Sequence, residues 1–133
     1  MAKKSVFISF DYDNDAHYKY LLTAWDKNDL FDFSFYDGSL TTPINSTNAT
    51  YIKSLIKPKI TAASRFLCIV GAQTSKSLWI DWEIQTAKDA QKPLIGVKIS
   101  KDNNSPAGLL GVSGTRWALS FTFDAIKKAI DET

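Results

Sequence analysis

The chain has 133 residues, about one domain's worth, and can bury roughly two thirds of the surface it exposes when unfolded. Its 44% hydrophobic and 23% charged residues are ordinary for a soluble globular protein, and a net charge of +2 gives no grounds for a nucleic-acid or membrane partner. No run of about 18 apolar residues could cross a bilayer, and the apolar run at 6–10 is too short for a secretory signal, so a single cytoplasmic domain over 1–133 is expected.

In chain order, 5–10 (SVFISF) is apolar and β-branched or aromatic, as a buried strand should be. An acidic break at 11–15 follows, where Asn14 or Asp15 can cap a helix whose apolar stripe is Tyr18, Leu21, Leu22 and Trp25. In FDFSFYD, Phe31, Phe33 and Phe35 alternate with Asp32, Ser34 and Tyr36, the period of a strand with one buried face near a sheet edge. A polar loop at 37–48 leads to a second helix with Ile52, Leu55, Ile56, Ile60 and Ala63 on one face. Pro58 is expected to kink or split it. The two sequons at Asn45 and Asn48 read as turn and cap chemistry. RFLCIVG at 65–71 has the continuous hydrophobicity of a central parallel strand, and Cys68 within it reads as a small buried hydrophobe. A third helix within 76–92, a strand at 93–100, a long loop at 101–115, a short strand at 116–121 and a terminal helix complete the chain. Leu109, Leu110 and Val112 are poor residues for a solvated loop, so part of 101–115 should dock.

This alternation implies an α/β, flavodoxin-like three-layer fold: a five-stranded parallel sheet of order 2-1-3-4-5 with helices on both faces. Ligands of such sheets lie beyond the carboxyl ends of the strands at the switch point, here between strands one and three. FDYDND and GAQTSKS meet there. A phosphate-accepting receiver is excluded, because strand three ends Val70-Gly71-Ala72-Gln73 with no aspartate. A flavodoxin phosphate cradle is excluded by the three aspartates after strand one, which would repel a phosphate. No P-loop is present, Gly108, Gly111 and Gly114 have the wrong spacing for a dinucleotide fingerprint, and no metal site is expected with His17 alone.

At 100° per residue, Ile80, Ile84, Ala87 and Gln91 centre one face of the third helix, opposite Asp81, Lys88 and Lys92. Trp79 and Glu83, one turn apart, fall on the flank of the buried face, half in and half out. On spacing alone, such a glutamate reads as a solvated charge covering its own stem. Trp82 points to the far side and is expected to be partly wet, which fits a self-association or regulatory contact as well as packing under the long loop.

From 6 to 99 the chain resembles TIR-like domains, specifically the stand-alone TIR-like proteins of Thoeris anti-phage systems. The likeness is carried by VFISFDYDNDAHY, FDFSFYDGS, RFLCIVGAQTSKSLWIDWEI and KPLIGVKI. It implies an NAD glycohydrolase or ADP-ribosyl cyclase, with Glu83 of the W-x-x-x-E motif as the catalytic residue. It further implies that NAD is substrate rather than retained cofactor, and that the product is an ADP-ribose-derived signal, often cyclic, which activates a separate effector. By position in the TIR fold, Ser9, Phe10 and Asp11 would line the nicotinamide-ribose side, with Trp79 as an aromatic neighbour. Asp37 and Ser39 begin the loop that contacts ligand or the next subunit. Asp11 reads equally well as a loop or capping aspartate, and Asp37-Gly38 as a turn. The rival reading is a non-catalytic module that works by homotypic association.

Overall fold

The computed structural model describes residues 4–26, 30–35, 49–110 and 114–133. The elements are β1 (Lys4–Ser9), α1 (Tyr12–Trp25), β2 (Phe31–Ser34), α2 (Ala49–Ala62), β3 (Arg65–Val70), a 3-10 turn (Thr74–Lys76), α3 (Leu78–Asp89), β4 (Leu94–Lys98), α4 (Ala107–Leu110), β5 (Arg116–Ala118) and α5 (Phe123–Asp131). All pairings are parallel and the order is β2-β1-β3-β4-β5, the expected flavodoxin-like sheet.

Strand periodicity divides the interior into two cores, one on each face. Val6, Ile8, Leu67, Ile69, Ile95 and Val97 point to one side, where Leu22 of α1 and Ile126, Ala129 and Ile130 of α5 cover them. Phe7, Phe66, Cys68, Val70 and Leu94 point to the other, under Ile52, Ile56 and Ile60 of α2 and Ile80, Ile84 and Ala87 of α3. Phe7 and Phe66, paired in register across β1 and β3, stack at 5.8 Å between centroids. Gly96 is required by its neighbour strand: a Cβ there would lie 2.4 Å from the Trp117 ring.

Several local expectations are corrected. β1 ends at Ser9, and α1 starts at Tyr12 with Asp11 in the cap position, so neither Asn14 nor Asp15 caps it. α2 is one uninterrupted helix despite Pro58. Pro58 and Ser54 are both exposed, so the carbonyl deprived of its amide partner faces water and the helix need not break there. Leu55 is exposed rather than on the buried face. Within the long loop a one-turn helix, α4, seats Leu109 at 1% exposure, whereas Leu110 is 66% exposed, so docking is by one leucine of the pair. Val112 lies outside the described residues, as do Asn45 and Asn48. β5 stops at Ala118.

Trp82 is half-buried against the α2–α3 core and lines a cavity of about 390 Å³ with Lys57, Thr61, Thr86, Asp89 and Ala90. Its described neighbours in that cavity lie on α2 and on α3 itself. Lys53 on α2 holds its ammonium 5.7 Å from the indole ring. Gln91 does not extend the α3 face. It sits past the helix end at φ 59°, and the amides of Gln91 and Lys92 return to the carbonyls of Lys88 and Ala87, closing the helix as a left-handed cap usually made by glycine.

Candidate active site

β1 and β3 are adjacent, but the chain leaves them in opposite directions, through α1 on one face and through the 3-10 turn to α3 on the other. The divergence opens the crevice where ligands of this sheet type bind. α3 starts at its rim because Ser77 caps it, the serine hydroxyl accepting from the Ile80 amide at 3.2 Å.

Glu83, in the second turn of α3, is buried at 6% exposure rather than half out. The Ser9 hydroxyl at the end of β1 donates to Glu83 Oε1 at 2.8 Å, with Ser9 itself 1% exposed. No side-chain oxygen among the described residues is both sealed from solvent and without a partner. Oε2 bonds no described residue and is not wholly sealed from solvent. Burial pushes the Glu83 carboxyl up to about 8, and the Ser9 bond opposes the shift only partly. A helix N-terminus favours an ionised carboxylate, but it does not decide the state of this one. Glu83 is the sixth residue of α3, and the terminal dipole fades within the first turn, so desolvation wins.

The other candidate residues are distributed unequally. Trp79, one turn before Glu83, is half-buried and meets Trp82 edge to face, 6.0 Å between centroids. Phe10 turns into the opposite core, 6.4 Å from Phe35 and 5.6 Å from the Lys19 ammonium, so Ser9 and Phe10 serve different faces. Asp11 is half-buried at the head of α1, where its carboxylate accepts from Asn14 Nδ2 at 2.7 Å and makes no bond to the helix amides. Asp37 and Ser39 lie outside the described residues.

Asp15, read from the sequence only as a candidate helix cap, is instead a buried residue of this region. It is 5% exposed, its carboxyl lies against Gly71 at the end of β3, and Thr74 Oγ1 is 3.4 Å from Oδ2. Burial, then the Asp11 charge, push this carboxyl up, and the Thr74 bond opposes them. Three acidic residues stand in DYDND, and nothing in their spacing singles out the one that folds inward. Cys68, buried on β3, has its thiol pushed up by desolvation and then by Glu83, Asp15 and Asp81, which leaves it protonated and unreactive. Among the described residues no group of three His, Cys, Asp or Glu could hold a metal ion, and no helix is long and apolar enough to cross a membrane.

Comparisons with known proteins bear on the fold and the family. A 2-deoxyribosyltransferase from Bacillus psychrosaccharolyticus has a similar structure, with a TM-score of 0.61 at 11% identity over 88% of this chain and 87% of that one. A 3-dehydroquinate dehydratase-like protein from Bifidobacterium longum gives 0.50 at 15% identity, over 98% and 94%. At such identities these likenesses show the fold alone. No curated protein matches the sequence. Residues 7–104 match the family described as Thoeris protein ThsB, TIR-like domain, a stretch that holds Ser9, Asp15, Trp79 and Glu83. The chain therefore belongs to the ThsB TIR-like family of Thoeris defence.

Proposed function

We propose that this protein cleaves the nicotinamide–ribose bond of NAD, with Glu83 as the catalytic carboxylate, and passes the ADP-ribose half on as a diffusible, cyclised signal for a separate effector. The observation that carries the reading is the state of Glu83: buried at the switch point, held through Oε1 by Ser9, with Oε2 making no bond to a described residue. NAD is consumed as substrate and no resident cofactor is invoked. The whole of 1–133 acts as one TIR-like unit.

The chemistry suits a single carboxylate. The nicotinamide ring nitrogen is already cationic, so the ring departs with the bonding pair as a neutral molecule and needs no general acid. Positive charge moves onto the ribose C1′ and ring oxygen, an oxocarbenium-like state that an adjacent carboxylate stabilises. In the free protein Glu83 is largely protonated at pH 7, because its carboxyl is held at about 8. A cationic substrate favours the ionised form, so binding expels the proton to solvent and creates the negative charge where it is needed. Ser9 keeps the carboxylate oriented while Oε2 faces the ribose. Trp79, one turn away, narrows the water around the site and offers an aromatic face for stacking. Water entering at C1′ would give ADP-ribose. A nucleophile from the adenosine half would give a cyclic isomer, losing one proton in the same step.

The test is release of free nicotinamide from NAD by the purified protein, alone and in lysate of phage-infected cells, with Glu83→Gln beside it. Cleavage by the wild type and its loss in the variant support the reading. Equal turnover in both, or none from wild type under either condition, defeats it and leaves a module acting by association.

A further inference from the structure

Asp15 is the second buried carboxylate of the crevice, and the reaction above does not use it. It stands one turn into α1, its amide bonded to the Asp11 carbonyl at 2.6 Å, while its carboxyl reaches across to the end of β3. There it occupies the space that a side chain on residue 71 would fill: a Cβ on Gly71 would lie 2.2 Å from Oδ2. Thr74, at 0% exposure, completes the contact. Its hydroxyl accepts from the Gly71 amide at 2.8 Å and has one proton to give, to the Ile69 carbonyl at 3.2 Å or to Asp15 Oδ2 at 3.4 Å. The Thr74 carbonyl in turn accepts from the amide of Ser77, the residue that caps α3.

We infer that Asp15 is a positioning residue for Glu83: through Gly71 and Thr74 it fixes where α3 begins, and so how the Glu83 carboxyl meets Ser9. A carboxylate that only capped its own helix would bond the α1 amides, whereas the hydrogen bond to the Asp15 carboxyl comes from Thr74, on another segment. It would also have no need of a glycine on one neighbouring segment and a buried threonine hydroxyl on another. The contact runs without a break from α1 to Ser77, the cap residue of α3. The inference takes the use of Glu83 from the proposed reaction, but its geometric content stands apart from it.

Three variants separate the possibilities. Asp15→Asn keeps the volume and an acceptor oxygen, Asp15→Ala empties the space, and Thr74→Val removes the hydroxyl while leaving the Asp15 charge in place. Two readouts are taken well below each variant's Tm: the kcat and KM of NAD cleavage, and the titration of the Glu83 carboxyl followed by ¹³C NMR in the free protein. Asp15→Ala and Thr74→Val should lower kcat by about tenfold to a hundredfold, the usual cost of misplacing a reacting group by about an ångström, with little change in KM. In both, Glu83 should titrate below its wild-type position because a displaced carboxyl is better hydrated, and Asp15→Asn should restore it. If wild type proves inactive, the proposed reaction is lost, yet the NMR titration still decides the positioning. If Asp15→Ala does not fold, Thr74→Val carries the test. A lower Tm with Glu83 titrating as in wild type and kcat unchanged would overturn the inference.

Discussion

The two ends of α3 are built on opposite plans. At its start the helix is capped by Ser77, tied through Thr74 to β3 and α1, and carries Glu83 into contact with Ser9. At its finish, Lys88, Gln91 and Lys92 line an open cavity of about 460 Å³ with Pro93, Leu94 and Gly114. Space lies at one end and buried, hydrogen-bonded carboxylates at the other. At the buried end, desolvation has moved the Glu83 carboxyl up by several pH units. Chemical potential in this molecule follows desolvation, not emptiness.

The largest effect that would break this contrast is catalytic. Glu83→Gln keeps the shape and the acceptor for Ser9 but removes the charge, and should cost about a hundred- to a thousandfold in nicotinamide release. Charge removal at the far end, in Lys88→Gln, should leave the rate unchanged. The pH profile sharpens the same point. Because the free carboxyl titrates at about 8, kcat/KM should rise about tenfold per pH unit below that value and level off above it. The kcat profile should be displaced to lower pH, since the bound cation favours the ionised form. A flat kcat/KM between pH 6 and 9 would show that Glu83 is not the titrating group.

Stability should respond with the opposite sign. The folded-state value of Glu83 lies above its ordinary 4.5, so its contribution is fully present below about pH 4.5 and is lost as pH rises through about 8. Over that window the loss is on the order of 4 kcal/mol, and Glu83→Gln escapes it. Thermal melts should show the Gln variant overtaking wild type at pH 8–9 and losing that advantage near pH 5. Smaller changes are expected at the caps. Ser77→Ala should cost about 1 kcal/mol and also lower turnover, since it loosens the end of α3 that holds Glu83. Gln91→Gly should stabilise by about 0.5–1 kcal/mol, by relieving the left-handed residue at φ 59°, with turnover untouched. A loss of activity in Gln91→Gly would mean that the two ends are coupled.

The two carboxylates also divide what could be read in the chain from what could not. Glu83 is singled out by the motif of the family the chain resembles, whereas spacing alone reads it as a solvated flank charge and misjudges its environment. Helix periodicity places a side chain on an arc, and the flank of that arc is wet or dry according to what packs beside it. Here Ser9 of β1, 74 positions away in sequence, closes over it. Asp15 gave no signal, because an aspartate before a helix looks like a cap until the helix's neighbours are known.

The sequence by itself determined the alternation of elements, the five parallel strands in the order 2-1-3-4-5, and the switch point between β1 and β3, since strand and helix periods and right-handed crossovers leave few other arrangements. It also determined the burial of Cys68, which lies in a continuous apolar run. Only the tertiary structure decided that α2 runs through Pro58, that Trp82 leans on α2, and that Glu83 and Asp15 are buried. Each of these depends on contacts between segments far apart in the chain, and local periodicity carries no information about which surface arrives from elsewhere to exclude the water.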